Sequence, residues 1–163
     1  MSRYTLAALA AAALLVLGAS PARAGGDWND AGIDWKSFEA GLAQAKAEDK
    51  PVCLIFYTDW CPHCGKYSTV FHNDEVVKTA KRFVMIRVER DANKEISSRF
   101  APDGEYIPRT YFLTPAAELR EEIHEQRPTY KYFYNTGGSA SLLRGMREAL
   151  GDQKTPGAKE PAA

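Results

Sequence analysis

The sequence is poor in cysteine and in long apolar runs, and it carries no excess charge. Three cysteines in 163 residues are too few for the dense disulfide framework that holds some small secreted domains together. The 21 basic and 21 acidic residues cancel, which argues against a protein that binds nucleic acid or an anionic membrane through its bulk charge. No internal repeat is visible, so a repeat architecture is not indicated. The overall amino-acid composition is that of an ordinary globular domain.

The N-terminal residues have the pattern of a secretory signal peptide. Arg3 precedes an apolar run over residues 6–17, and Ala22 and Ala24 form a small-x-small cleavage site. The run has 12 residues, whereas a membrane-spanning helix needs about 20. We therefore expect residues 1–24 to be removed, without stable membrane insertion afterwards. The mature chain would carry 19 basic and 21 acidic residues, a net charge of −2.

The rest of the chain predicts one α/β domain over residues 25–150, followed by a disordered tail over residues 151–163. Residues 52–58 form a continuous apolar run rich in strand formers, as in a strand that is covered on both faces. Apolar residues at helical spacing predict a first helix that is capped by Asp34. The predicted order is α β α β α β β α, with strands at 52–58, 83–89, 110–113 and 119–123 and helices near 35–49, 62–71, 95–100 and 139–150. The second of these helices restarts over 74–80.

Cys61 and Cys64 form a Cys-Pro-His-Cys motif between the first predicted strand and a helix. The first cysteine then lies at a helix N-terminus, where free N–H groups and the helix dipole favour a thiolate. Pro62 suits the first helical turn, and the imidazole of His63, which we expect beside both sulfurs, would further stabilise the Cys61 thiolate. We therefore predict that Cys61 is the exposed, attacking nucleophile and that Cys64, one turn later, resolves the mixed disulfide.

Other uses of a cysteine pair fit this motif less well. A c-type haem site needs histidine directly after the second cysteine, where Gly65 stands. A structural zinc site needs four ligands, and the chain has no second Cys-x-x-Cys motif. A static disulfide would stabilise the fold more across a longer loop. The motif thus favours redox chemistry at the Cys61–Cys64 pair itself, without a metal or another cofactor.

The motif and its surroundings resemble the thioredoxin superfamily. The resemblance rests on Trp60 before the cysteine pair and on Ile107-Pro108 before a later strand, and it extends over about residues 35–150. The segments SRFAPDGEYIPRTYFLTP at 98–115 and YKYFY at 130–134, together with KPVCLIF and GMREAL, are similar to the thioredoxin-domain-containing and anterior-gradient proteins of the endoplasmic reticulum. This resemblance implies a thioredoxin-like fold, with a central four-stranded mixed sheet flanked by helices.

The resemblance also implies roles for residues outside the motif. Pro108 is expected to be a cis-proline that faces the disulfide, and the backbone of Ile107 is expected to pair with an extended substrate chain. Trp60 either packs its loop or offers a flat apolar surface for substrate beside Cys61. The expected partners are cysteine-containing exported proteins and a redox partner protein.

Two departures from the family pattern bear on the direction of the chemistry. Ile55 stands where reducing thioredoxins carry a buried aspartate, so the usual proton acceptor for the second thiol is missing. The dipeptide Pro62-His63 resembles that of strongly oxidising periplasmic enzymes, and a stabilised thiolate makes the disulfide a better oxidant. We expect an oxidant or isomerase. A reductase fed by a membrane donor and a non-enzymatic protein that handles Cu(I) through its thiolates stay as alternatives.

Location and several further residues give weaker expectations. The chain ends without a Lys-Asp-Glu-Leu-type signal, from which we expect a periplasmic or secreted protein. Cys53 is expected to be a buried free thiol, with a regulatory pairing as the alternative. Arg109 could lie near the site without a catalytic role, and His72 and His124 are expected at the surface or at caps. The aromatic residues of 130–134 either pack under the last helix or form a docking surface.

Overall fold

Residues 26–152 are described by a computed structural model. The predicted signal peptide, and the predicted tail beyond its first two residues, lie outside this range. Of the two tail residues that are described, Gly151 and Asp152, the Asp152 carboxylate accepts a hydrogen bond from the Arg82 guanidinium. None of the helices in the described range is long and apolar enough to cross a membrane. The strands are β1 (Trp35–Lys36), β2 (Val52–Tyr57), β3 (Val84–Glu89) and β4 (Arg109–Leu113); the helices are α1 (Phe38–Glu48), α2 (Pro62–Ser68), α3 (Asp74–Ala80), α4 (Lys94–Arg99) and α5 (Ala140–Ala149), with a 3₁₀-helix at Thr69–His72.

The four strands form one mixed sheet in the order β1-β3-β2-β4. β3 runs parallel to both β1 and β2, whereas β4 runs antiparallel to β2. Five of the six residues of β2 are buried, as the unbroken apolar run predicts for a strand that is covered on both faces. β2 is therefore the central strand on which the rest of the domain is built.

Alternate residues of the strands feed two hydrophobic clusters, one on each face of the sheet. One cluster joins Cys53 and Ile55 of β2 to α2, α3 and α5. The other joins Leu54 and Phe56 to α1 and to Phe100 after α4. The helices thus cover both faces, and the predicted four-stranded α/β architecture is confirmed.

The prediction of a strand over residues 119–123 is wrong. Within these residues only Leu119 makes a bridge, an isolated one to Leu113. The chain turns instead, since the Ile123 N–H bonds the Arg120 carbonyl, and residues 120–122 are all charged. The fourth strand is the two-residue β1, which lies at the other edge inside the segment predicted as helix.

The first helix also begins later than predicted. Ser37 occupies the N-cap position with extended backbone angles, and Phe38 is the first helical residue. Asp34 pairs with Lys36 at 2.7 Å rather than capping the helix. Pairing of Trp35 and Lys36 with β3 holds these residues extended, which overrides their local helical spacing.

The topology brings two loops together at one edge of the sheet. Phe56 pairs with Arg109, so the end of β2 lies beside the start of β4. The chain leaves β2 into α2 through Thr58, Asp59 and Trp60, and it enters β4 through Ile107 and Pro108. Because the two strands are antiparallel neighbours, the first turn of α2 must lie next to the peptide bond before Pro108.

The close contact of α1 with β3 gives a test of the core. A Cβ at Gly41 would lie 2.4 Å from Cγ1 of Ile86, so we expect Gly41→Ala to destabilise the protein by about 1–3 kcal/mol through overpacking. Gly65→Ala is the control, because a Cβ there meets no atom within 4 Å and alanine favours a helix by up to about 1 kcal/mol. Urea unfolding measures both; equal free energies of unfolding would contradict the tight contact.

Candidate active site

Cys61 occupies the N-cap position of α2, directly before Pro62 in the first turn. Its extended backbone turns the sulfur back over the helix start, where the Cys64 N–H donates to Cys61 Sγ at 3.2 Å. Such a donor stabilises negative charge that develops on the sulfur. All three cysteines are free thiols in this structure. Cys61 is therefore not fixed by a disulfide, and the backbone of α2 holds its sulfur through the Cys64 N–H.

The loop before β4 lies against Cys61. The Ile107–Pro108 peptide bond is cis, as the resemblance implies, and the Ile107 carbonyl lies 4.0 Å from Cys61 Sγ. The prediction that Cys61 is exposed is wrong, since only 4% of the residue is accessible. The loop covers the sulfur because the sheet topology sets the start of β4 against the first turn of α2.

Cys64 differs from Cys61 in its surroundings. It is fully buried, and this burial, with a hydrogen bond to Cys61, raises the pKa of its thiol far above the ordinary value. A hydrogen bond from the Thr58 backbone and the charge of Arg90 act in the opposite direction and do not cancel the effect of burial. Cys64, which is predicted to resolve the mixed disulfide, is therefore protonated throughout the physiological pH range.

His63 is exposed and contacts the aromatic segment of residues 130–134. Its ring packs edge-on against Phe133 at 5.8 Å between centroids, and no hydrogen bond between the imidazole and either sulfur is found. Phe133 is held from behind by Arg127, which lies over its ring and donates to its carbonyl at 2.6 Å. The contact with Phe133 was not foreseen in the sequence, and the role of His63 as a neighbour that stabilises the Cys61 thiolate stays a prediction.

Trp60 lies on the other side of Cys61 and is 63% exposed. Its Nε1 donates to Asp91 Oδ2 at 2.8 Å, and the Arg90 guanidinium lies over its ring at 5.6 Å. Packing of the loop therefore does not bury Trp60, and its indole is fixed while most of its surface faces solvent. An apolar surface of this kind beside the sulfur suits contact with a substrate chain.

Ile55 occupies the position at which reducing thioredoxins carry a buried aspartate, so no carboxylate stands there. Ile55 is fully buried and pairs with Arg87 and Thr110 on the neighbouring strands. The buried polar contact nearby is neutral, a 2.8 Å hydrogen bond between the hydroxyls of Tyr67 and Thr110. Burial raises the pKa of the Tyr67 hydroxyl well above its ordinary value, so it does not replace a carboxylate as proton acceptor near neutral pH.

Arg109 points away from the sulfurs, although it follows Pro108 in the chain. It is fully buried on the opposite face of the sheet, over the Phe56 ring at 4.8 Å. Its guanidinium donates to the Ser97 hydroxyl and, at 2.9 Å, to the Gly104 carbonyl. Arg109 therefore anchors the loop before Ile107 from inside the core.

The remaining residues singled out in the sequence lie outside the site. Cys53 is fully buried in the core, and burial raises the pKa of its thiol. His72 contacts the Asp27 carbonyl, and His124 contacts the Glu125 carbonyl. In the aromatic segment, Tyr132 and Tyr134 are buried and Tyr130 is exposed. Within residues 26–152, no three His, Cys, Asp or Glu side chains are grouped closely enough to hold a metal ion.

Comparison with known proteins agrees with this geometry. A model of the thioredoxin-like family matches residues 34–115. The human anterior gradient protein 2 homolog is 34% identical over 130 residues, which cover 78% of this chain and 72% of that protein. The chain belongs to the thioredoxin-like family. Anterior gradient protein 2-B of Xenopus laevis is 29% identical over 125 residues, and the predicted resemblance to the anterior-gradient branch of the thioredoxin-like family is confirmed.

Solved structures support the fold of this thioredoxin-like protein. A thioredoxin from Thermus thermophilus superimposes with a TM-score of 0.57 at 24% identity, over 73% of this chain and 88% of that one. The DsbH oxidoreductase gives the same TM-score at 20% identity, over 74% of this chain and 86% of that one. Identities this low establish the fold alone.

Three residues of the site escaped the sequence analysis, namely Arg90, Asp91 and Phe133. Arg90 and Asp91 directly follow β3, and the carboxyl ends of parallel strands meet at one edge of a sheet. That rule alone would have placed them near the end of β2, beside Trp60. Phe133 had no such signal, because its segment has no regular structure to fix the direction of its side chain.

The unequal surroundings of the two cysteines predict unequal alkylation in the reduced protein. We expect iodoacetamide to modify Cys61 at least about tenfold faster than Cys64, because a raised pKa leaves little reactive thiolate at Cys64. The Cys64 rate should still be rising between about pH 7 and pH 10, since burial raises the pKa of its thiol above the ordinary value. Peptide mapping by mass spectrometry gives the rates.

Cys53 serves as the internal control for this experiment. Its burial predicts almost no modification in the native protein and rapid modification after unfolding. Similar rates at Cys61 and Cys64 in the native protein would contradict the asymmetry.

Proposed function

We propose that this protein is an exported thiol–disulfide oxidoreductase that acts on protein cysteines as an oxidant or isomerase. The observation that carries the proposal is the unequal cysteine pair. Cys61 lies at the start of α2 against the cis Ile107–Pro108 bond, and Cys64 lies fully buried behind it. A pair in which one sulfur lies at the helix start, with 4% of its residue accessible, and the other is fully buried suits exchange through a mixed disulfide.

In the oxidising direction, a substrate thiolate attacks Cys61 Sγ of the Cys61–Cys64 disulfide. The sulfur–sulfur bond breaks, Cys64 leaves with the electron pair and takes a proton, and the substrate is bound to Cys61. A second substrate thiolate then attacks the bound substrate sulfur and releases Cys61. The substrate has lost two electrons and two protons and gained a disulfide, and a redox partner protein must oxidise Cys61 and Cys64 again.

In the isomerising direction, the Cys61 thiolate attacks a substrate disulfide, and the mixed disulfide must persist while the substrate rearranges. Two features favour such persistence. Burial keeps Cys64 protonated, and Ile55 offers no carboxylate that could remove its proton. Both features slow the attack of Cys64 on the mixed disulfide, which argues against a fast reductase.

Substrate recognition is proposed to use the backbone of Ile107, with Trp60 as the adjoining apolar surface. The half-buried Ile107 precedes β4 in the chain, so an extended peptide could pair with its backbone next to Cys61. Export to the periplasm or to the outside is proposed from Arg3, the apolar run at 6–17 and the Ala22-x-Ala24 site.

The reduction potential tests the direction of the chemistry. We expect a value more positive than the roughly −270 mV of thioredoxin, within about −200 to −120 mV, as for oxidants and isomerases. Equilibration with glutathione buffers, followed by thiol trapping, measures it. The double variant Pro62→Gly and His63→Pro should be more reducing by about 30 mV or more. A wild-type value near thioredoxin's would favour the reductase alternative.

Removal of the resolving thiol tests whether the substrates are proteins. Cys64→Ala leaves Cys61 without its intramolecular partner, so we expect exported proteins to accumulate in mixed disulfides that dithiothreitol releases. Non-reducing electrophoresis and mass spectrometry identify them. The double variant Cys61→Ala and Cys64→Ala should trap nothing, and Cys53→Ala with Cys64→Ala should trap as well as Cys64→Ala. Absence of trapped proteins, with Cys61 still reactive toward iodoacetamide, would contradict a protein substrate.

A further inference from the structure

Arg90 joins Trp60 to the loop before Ile107, and we call the surface between these two parts, beside Cys61, the proposed substrate groove. On one side, its Nε and Nη2 donate to Asp91 Oδ1 at 2.9 and 2.7 Å, and its guanidinium lies over the Trp60 ring. On the other side, its Nη1 donates to the Glu105 carbonyl at 3.1 Å. Glu105 lies two residues before Ile107, whose carbonyl approaches Cys61 Sγ. We call this set of contacts the Arg90 bridge.

The base of the bridge is rigid. The Arg90 N–H donates to the Tyr57 carbonyl at the end of β2, at 2.8 Å. The turn that follows is closed by the Ala92 N–H, which donates to Glu89 Oε2 at 2.6 Å. The side chain of Arg90 is only 22% exposed. Arg90 therefore extends from a fixed backbone, and its planar fork orders three partners at once.

Both walls of the groove depend on this bridge. Asp91 uses one carboxylate oxygen for Trp60 Nε1 and the other for Arg90, so the exposed indole is tied to the guanidinium. The loop before Ile107 is held by Arg109 at the Gly104 carbonyl and by Arg90 at the next carbonyl, that of Glu105. Arg109 acts from within the core, whereas Arg90 connects the loop to Trp60.

We propose that Arg90 is a positioning residue that holds Trp60 and the Ile107–Pro108 loop at a fixed separation, so that an extended cysteine peptide enters a preformed groove beside Cys61. A preformed groove saves the ordering of both walls when the peptide binds. This inference rests on the proposed function and deepens it, because it concerns recognition of peptides and leaves the exchange chemistry to the cysteine pair. Small dithiols, which do not span the groove, gain far less from it.

The test compares Arg90→Ala and Arg90→Lys with wild type on two substrates, a cysteine-containing peptide and dithiothreitol. We expect the ratio of the peptide kcat/KM to the dithiothreitol rate constant to fall at least about fivefold in both variants, mainly through a higher KM for the peptide. Lysine keeps the charge but lacks the planar fork, so a positioning role predicts no rescue by lysine. A role of charge alone predicts full rescue and would overturn the proposal.

Two further variants serve as an independent test of the bridge and as a control. Asp91→Ala breaks the bridge from an exposed side chain and should lower the same ratio even if an Arg90 variant folds poorly. Arg82→Ala removes an exposed arginine that is paired with Asp152 and should leave both rates unchanged. An unchanged ratio in Arg90→Ala and Asp91→Ala, with thermal unfolding as in wild type, would overturn the inference.

Failure of the proposed function has a different signature. If wild type exchanges thiols with neither substrate, the oxidoreductase proposal is wrong. The bridge is then judged by the affinity of a Cys61→Ser, Cys64→Ser variant for a peptide whose cysteine is replaced by serine, followed by tryptophan fluorescence. In that background Arg90→Ala should weaken binding at least about fivefold, and unchanged affinity would overturn the inference by itself.

Discussion

The burial of β2 on both faces is the constraint on which the rest of the structure depends. β2 is covered by helices on both sides, and it pairs with β3 in parallel and with β4 in antiparallel orientation. Its end then becomes the point where three connections meet: the turn into α2, the turn after β3 and the loop before β4. Cys61, Arg90 and Ile107 come from these three connections, so the site follows from the sheet order.

The site residues that lie next to a regular element could be predicted from the sequence. Cys61 and Cys64 follow an unbroken apolar strand that is visible in the pattern, whereas Pro108 was singled out by the resemblance to the thioredoxin superfamily. The short β1 was missed because two residues give no period and their pairing with β3 is non-local. The contact of His63 with Phe133 was missed for a similar reason, since the two residues lie 70 positions apart in the chain.

Near the site, arginine side chains hold loops in position that have no helix or strand to fix them. Arg109 and Arg90 hold successive carbonyls of the loop before Ile107 from opposite sides, and Arg127 supports Phe133 against His63. Each of these arginines combines a hydrogen bond with an aromatic contact, which a planar, weakly hydrated cation makes better than an ammonium group does. Loops without secondary structure are thereby held in defined positions.

The small accessible fraction of Cys61 has a consequence for which molecules can react with it. The Ile107 carbonyl lies 4.0 Å from the sulfur, and only 4% of Cys61 is accessible. For the exchange reaction proposed above, this leaves an approaching sulfur little room. A cysteine in a locally extended or still unfolded chain would meet less steric hindrance there than a cysteine on the rigid, convex face of a folded protein, so the burial of Cys61 would select reaction partners by their conformation.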